Sequence, residues 1–322
     1  MTATIDARPS LTVRLVNGLL AIKPLFALAK QQARDMMIKR AETIGVQWRE
    51  QAQHLQARDW MKDFEAVNSR ELVYPDYYLQ PFHAYAEGNL GWEPATEVEV
   101  AAYAVHARIW PDAGTSGDPR LRQSYHAILQ RELLQAPHTI VDLGCSIGMS
   151  TFALQDAFPG STITGVDLSP YFLAVARYRS QLRQAGQGNG LQLQDAPSNA
   201  QTPPIWVHAA AEETGLPAQS YDLVSAFLVF HELPRTAAEA IVQEARRLLR
   251  PGGYLAIMDM NPQSAVYAKM PPYVLTLLKS TEPYLDDYFS LDLVSTIAQA
   301  GFTSPKVMEN SPRHRTLLAQ VP

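Results

Sequence analysis

The chain holds one cysteine in 322 residues, Cys145, so no disulfide forms within it and no cysteine-based zinc site can be assembled; a reducing, cytoplasmic setting is expected. An excess of positive charge is also missing. With 27 Lys and Arg against 32 Asp and Glu, the net charge of -5 argues against a nucleic-acid partner, which needs a basic surface to displace phosphate counterions. No apolar run is clean enough to span a bilayer. The best stretch, Leu11 to Ala29, is interrupted by Arg14, Lys23 and Pro24 and is followed by no small-residue cleavage pattern, which rejects a transmembrane helix and a signal peptide. A basic amphipathic helix docked on its own protein is favoured there over one resting on a membrane surface. The eight histidines fall at no metal-binding spacing, so no metal is expected, and internal repeats are absent.

What remains is the composition of a folded globular protein, 47% hydrophobic and 18% charged, long enough for one large domain or two modest ones. Charge is uneven: residues 1–60 carry nine Lys/Arg against five Asp/Glu, a net of +4, which leaves -9 for the rest. From Leu11 to Ala66 apolar residues recur at helical spacing; an aromatic loop, Tyr74 to Trp92, follows, then a helical stretch from Glu93 to Ile109. The turn-rich PDAGTSGDP, Pro111 to Pro119, suggests a division into a helical region, 1–115, and a second domain, 116–322.

Beyond Thr139, β-branched runs alternate with amphipathic stretches. Strands are predicted at Thr139–Leu143, Thr162–Asp167, Ile205–Ala209, Asp222–Phe227 and Tyr254–Met258, with helices at Met149–Phe158, Pro170–Gln184, Thr236–Leu249 and Leu291–Ala300. This alternation implies an α/β fold, a Rossmann-like, doubly wound, mostly parallel sheet. Two last runs, Lys306–Glu309 and Thr316–Val321, are too close for a crossover helix and should close a seven-stranded sheet as an antiparallel hairpin. The polar, breaker-rich Gln184 to Pro204 reads as a mobile surface insertion.

The strongest local signal is Ile140-Val141-Asp142-Leu143-Gly144-Cys145-Ser146-Ile147-Gly148, a buried strand running into a tight turn and a helix. A dinucleotide fingerprint wants glycine at the third and sixth positions, where Ser146 and Met149 stand. Gly144, Ser146 and Gly148 instead fit a G-x-(G/S)-x-G turn, with Asp142 placed to face the ammonium of an amino-acid moiety. At the end of the next strand, Asp167 can accept hydrogen bonds from both hydroxyls of a ribose; a helix N-cap is its plainer role, but Ser169 followed by Pro170 already supplies that cap.

Together VDLGCSIGMST, GVDLSP, AAAEETGLPAQSYDLVSAFLVFHELP and RRLLRPGGYLAIMD resemble, in order, the motifs of class I S-adenosylmethionine-dependent methyltransferases of small molecules, over residues 120–322. The resemblance implies S-adenosylmethionine as cofactor, the turn from Gly144 through Cys145 and Ser146 to Gly148 facing its methionine part, and Asp167 with Leu168 at its ribose. It also implies that the loop after the third strand meets the adenine. Many relatives carry aspartate where Ala210 stands, so Ala211 or Glu212 would supply that contact. Met270-Pro271-Pro272-Tyr273 is similar to the (N/D)PP(Y/F) motif of amino-group methyltransferases but follows the wrong strand and lacks the leading Asn or Asp.

For methyl transfer the protein must align an acceptor and exclude water. His231 and Glu232 leave the fourth strand at its carboxyl end, where His231 either takes a proton near neutral pH or orders the following turn. The aromatic loop, with Tyr77, Tyr78, His83 and Tyr85, and the later Tyr284 offer flat apolar surface for a substrate, or packing between the two halves. Arg313 and Arg315, in the closing turn, are candidates for an anionic group on the acceptor, or charges that solvate the turn. A non-catalytic S-adenosylmethionine-binding protein and a nicotinamide-dependent oxidoreductase are the alternatives, and the oligomeric state is left open.

Overall fold

A computed structural model describes residues 23–83, 85–186 and 202–322. The Gln184–Pro204 insertion lies mostly outside the described residues, as does the first part of the Leu11–Ala29 stretch. The chain opens with helices α1 (Lys23–Thr43), α2 (Trp48–Gln56) and α3 (Met61–Val67), then a 3-10 turn at Asp76–Leu79 inside the aromatic loop. Helices α4 (Trp92–His106) and α5 (Gly117–Glu132) lead to the sheet.

Strands β1 (Thr139–Leu143), β2 (Thr162–Asp167), β3 (Ile205–His208), β4 (Tyr221–Phe227) and β5 (Leu249–Met260) are joined through α6 (Met149–Ala157), α7 (Pro170–Gln184) and α8 (Arg235–Leu248). Short helices α9 (Ala265–Ala268), α10 (Pro272–Thr281), α11 (Leu285–Ser290) and α12 (Leu293–Gln299) precede β6 (Lys306–Ser311) and β7 (His314–Gln320). The seven strands lie in the order β3-β2-β1-β4-β5-β7-β6. Only β7 is antiparallel to its neighbours, as the short connection at Pro312 and Arg313 requires. Pairing of Asp259 with Arg315 and of Met260 with His314 puts that turn at the carboxyl end of β5.

Burial follows the sequence pattern. In α8 Ala237, Ala238, Ile241, Val242, Ala245 and Leu248 recur at helical spacing and are buried against the sheet. Central β1 is flanked by β2 and β4 and its last four residues are all buried, which is why it reads as an almost continuous apolar run. The aspartate in that run is the exception that needs a reason.

The N-terminal helices share a core with the sheet region. Trp48, Trp60, Val100 and Tyr103 pack in one cluster with Ile147 and Met149 after β1 and with Phe172 and Val175 of α7. Asp63 of α3, buried, ties the two together through Arg58 at 2.8 Å, Gln181 at 3.2 Å and Arg177 at 3.6 Å.

Candidate active site

The carboxyl edge of the sheet collects nearly every candidate residue. After β1 the chain turns through three left-handed residues, Gly144 (φ 68), Ser146 (φ 50) and Gly148 (φ 85), before α6 begins. A Cβ on Gly144 would lie 2.5 Å from Val229, so only glycine lets β1 and the end of β4 approach this closely. Ser146 holds the same kind of backbone with a side chain, an uncommon conformation that clusters at functional sites. His83 (φ 50) and Leu228 (φ 59) do so as well, at the same edge.

Asp142 is fully buried. Its Oδ2 accepts from the hydroxyls of Ser150 and Thr151, each at 2.7 Å, which anchors the first turn of α6. Its Oδ1 has no hydrogen-bond partner, and burial pushes the carboxyl up to about 6 against the pull of those two hydroxyls. Asp167 receives the backbone N–H of Ser146 at 2.7 Å and of Ser169 at 2.8 Å, one on each oxygen. It is likewise raised by burial to about 6. Ser169 caps α7, accepting from the N–H of Phe172, so Asp167 is released from the capping role. The Ser146 hydroxyl and Glu212 Oε2 are buried without partners too. Leu168 offers its backbone oxygen to His208 at 3.0 Å, and the buried Cys145 thiol is pushed well up by desolvation. Ala211 is half-buried and packs against the main core.

The aromatic loop folds over these carboxylates. The Tyr77 hydroxyl donates to Glu212 Oε1 at 2.6 Å, Tyr78 reaches Asp167, and Tyr284 packs edge-on against Tyr77 with ring centres 6.2 Å apart. Tyr74 and the backbone N–H of Ser69 hold the two ring nitrogens of His208 at 3.2 and 2.9 Å, stapling the loop to the end of β3.

A cluster of titratable groups lies at the ends of β4 and β5. His231 stands in a 3-10 turn after β4, its Nδ1 2.8 Å from Oδ1 of the fully buried Asp259 at the end of β5. Burial alone would lower the imidazole, but Asp259 overcomes it and drives His231 up to about 10. The sequence left His231 between taking a proton near neutral pH and ordering the following turn; its backbone N–H and its ring both engage Asp259, which favours the protonated ring. His83 is set by its backbone N–H on Thr281 O at 3.1 Å and by Nε2 on Glu282 Oε1 at 3.0 Å, and Glu282 raises it. Glu232, next to His231 in the 3-10 turn, is raised by burial to about 7, with the charges of His83 and His231 opposing.

Three expected substrate residues are turned elsewhere. Tyr85 donates to Glu97 at 2.9 Å, a carboxylate shared with Arg34, and so belongs to the packing of the N-terminal helices. Arg315 is buried and donates to Gln263 at 2.8 Å; Arg313 donates to Val105 O at 3.2 Å. Neither arginine forms an ion pair among the described residues, and the Nε of each is buried without a partner. Asp259 and Glu282 are the functional candidates that sequence reasoning passed over. Asp259 had a usable signal, a carboxylate at the carboxyl end of a central strand, whereas Glu282 is joined to His83 only by the meeting of α10 with a distant loop. Among the described residues no three His, Cys, Asp or Glu side chains converge to hold a metal ion, and no helix is long and apolar enough to cross a membrane.

Residues 141–257 match a family described as "Methyltransferase domain". An uncharacterized methyltransferase of Synechocystis is 27% identical over 56% of this chain and 74% of its own length. A ubiquinone biosynthesis O-methyltransferase of Pseudomonas paraeruginosa is 30% identical over 44% of this chain, and a trans-aconitate 2-methyltransferase of Methylobacterium nodulans 34% identical over 40%. Of these last two proteins the chain spans about half or less, 54% and 41%. Among solved structures, phosphoethanolamine N-methyltransferase 2 of Haemonchus contortus, in complex with S-adenosyl-L-methionine, aligns with 79% of this chain and 61% of its own at a TM-score of 0.51 and 15% identity, a likeness of fold.

Proposed function

We propose that this chain, whose residues 141–257 match a methyltransferase domain, is a class I S-adenosylmethionine-dependent methyltransferase that transfers the cofactor's methyl group to a small-molecule acceptor held between the carboxyl edge of the sheet and the aromatic loop. The observation that carries the proposal is a set of orphaned polar atoms. Asp142 Oδ1 and Ser146 Oγ, at the end of β1 and in the left-handed turn after it, and Glu212 Oε2, beyond β3, are buried without partners, a costly arrangement unless a ligand completes it.

Those atoms suit an amino-acid nucleoside. Asp142 would face the ammonium, Asp167 the ribose hydroxyls, and Glu212 with Ala211 the adenine, the Tyr77 and Tyr78 hydroxyls giving way or lying over the ligand. When bound, S-adenosylmethionine supplies a sulfonium methyl open to in-line displacement. The residues of the chain then position the acceptor, keep water out through the tyrosine-rich loop, and hold protons at Glu232 and at the two histidines. We keep residues 1–115 as a helical cap on the methyltransferase domain at 116–322, and a cytoplasmic location as the setting.

Calorimetry with S-adenosylhomocysteine and with NAD separates this reading from a nicotinamide-dependent oxidoreductase. One site for S-adenosylhomocysteine and none for NAD is expected, and the reverse result overturns the proposal. A gain of one methyl mass on a metabolite of a cell extract, dependent on the protein, separates an enzyme from a protein that only binds the cofactor.

A further inference from the structure

The chain from α3 to the aromatic loop is held to the sheet edge by few contacts, and one of them requires an uncharged histidine. No residue from 69 to 80 is buried, and Val73 and Leu79 are 86% and 54% exposed. Such a segment opens readily unless specific bonds hold it. At its far side the His83 N–H donates to Thr281 O at 3.1 Å and the His83 ring meets Glu282 at 3.0 Å. At its near side, just past α3, the holding group is His208, the last residue of β3.

The partners of His208 fix where its hydrogen sits. The Ser69 backbone N–H lies 2.9 Å from Nδ1 and can only donate, so Nδ1 presents a lone pair. Nε2 lies 3.0 Å from Leu168 O, which can only accept, so Nε2 carries the hydrogen, and the Tyr74 oxygen at 3.2 Å stands beside it. A second proton has no place, because on Nδ1 it would point at the Ser69 N–H. Tyr74 in turn stacks on Tyr78 with ring centres 6.3 Å apart, Tyr78 meets Tyr77 edge-on at 6.4 Å, and Tyr77 donates to Glu212.

We propose that His208 is an acid-sensitive latch: its neutral ring holds residues 69–78 down on the sheet edge, and a proton taken from solvent at Nδ1 breaks the bond to Ser69 and releases that end of the loop while the His83 end stays fixed. Resting on the methyltransferase reading, release lifts the tyrosines from Glu212 and speeds departure of the demethylated cofactor.

The direction follows from the surroundings. Burial opposes a charge on the His208 ring, and the Leu168 carbonyl offsets only part of that. Three elements pack against β3. On β2, Asp167 is in register with His208; on α3 and α7, Asp63, Arg177, Arg179 and Arg183 are spent on ion pairs, and Lys62 and Glu65 are exposed, as are Arg70 and Glu71 past α3. A ring freed into water takes its proton near about 6.5, above the latched ring, so falling pH favours the released form. His83 runs the other way: burial opposes its charge but Glu282 outweighs it, so acid preserves that contact.

The test follows hydrogen exchange of the ligand-free full chain from about pH 7.5 to about 5, each amide corrected for its intrinsic rate. Protection at Ser69 should fall about tenfold per pH unit below about 6.5, while protection at His83 holds. His208→Asn, whose side-chain oxygen stands where Nδ1 does and takes no proton, should keep Ser69 protected throughout. Level protection at Ser69 in the wild type overturns the latch with no variant needed. A fall at Ser69 and His83 together, or one that persists in His208→Asn, overturns it too. A second arm measures release of S-adenosylhomocysteine by stopped flow. The ratio of the wild-type rate to that of His208→Asn should grow about tenfold per pH unit below about 6.5, the titration of Asp142 and Asp167 cancelling in the ratio. A constant ratio refutes control of cofactor release. If S-adenosylhomocysteine does not bind at all, the methyltransferase reading falls, and the latch is decided by the exchange result.

Discussion

Asp167 holds the fold at the sheet edge and, in the proposed function, the ligand as well. Its two oxygens already receive the backbone N–H groups of Ser146 and Ser169, and the lone pairs left over are those a ribose would use. Asp167→Ala is expected to weaken S-adenosylhomocysteine binding by about 1.5 to 3 kcal/mol through lost charge-assisted bonds. It should also lower the melting temperature, because two backbone donors lose their acceptor; calorimetry and thermal unfolding read the two effects separately. Titration supplies a further check. Asp142 and Asp167 both sit near 6 in the free protein, and the ammonium and ribose favour their ionised forms. Binding is therefore weak at pH 5, where the carboxyls are protonated, strengthens as pH rises through about 6, and levels off above 7. An affinity that is flat from pH 5 to 7.5 would mean the ligand touches neither group. At this scale strand ends and turn spacing pointed to Asp142, Ser146, Asp167 and His231 as candidates, and the family resemblance to Glu212. The sequence had no means of naming Glu282, whose partner His83 is far away along the chain, nor of seeing that Asp259 would lie against His231 and raise it.

The turn between β1 and α6 is the element on which the site depends. Gly144 combines φ 68 with a Cβ position 2.5 Å from Val229, so Gly144→Ala should strain the backbone and push β1 away from the end of β4. A loss of about 1 to 3 kcal/mol of stability is expected, with a larger loss of cofactor affinity than at a remote glycine such as Gly215. Wild-type affinity in Gly144→Ala would show that the turn tolerates a shift of the β4 end. This turn was legible because a buried β-branched strand ending in small residues has few alternative structures. The helices α10 and α11 were not: PYVLTLLKST buries no residue, so its apolar content follows no core-facing period, and a Pro-Pro pair preceded it. The aromatic loop was recognised as a loop. Which tyrosines face the sheet edge and which face the N-terminal helices was set by contacts with Glu212 on one side and Glu97 on the other.

Across the whole molecule the helical and sheet regions interlock. Asp63, buried on α3, is held by Arg58 and by Arg177 and Gln181 of α7, and the cluster around Trp48 and Trp60 includes Ile147, Met149 and Phe172. The protein is thus expected to unfold in one calorimetric transition despite its size. Asp63→Ala should lower that transition by about 2 to 3 kcal/mol, the range for losing hydrogen bonds to a buried charge. Two separated transitions in the wild type would refute the shared core.

The order of strands, the parallel sheet and the antiparallel closing pair were determined by the sequence itself, because they follow from local periodicity, turn chemistry and the short link at Pro312 and Arg313. The charges of the titratable cluster at the ends of β4 and β5 were decided only by tertiary structure. His83, Glu232, His231, Asp259 and Glu282 come from a loop before the sheet, the ends of two strands and the end of a helix, and their charges depend on mutual distance and on water excluded by the fold. Neither quantity has any signature along a chain, since Coulomb energy and desolvation are properties of positions in space.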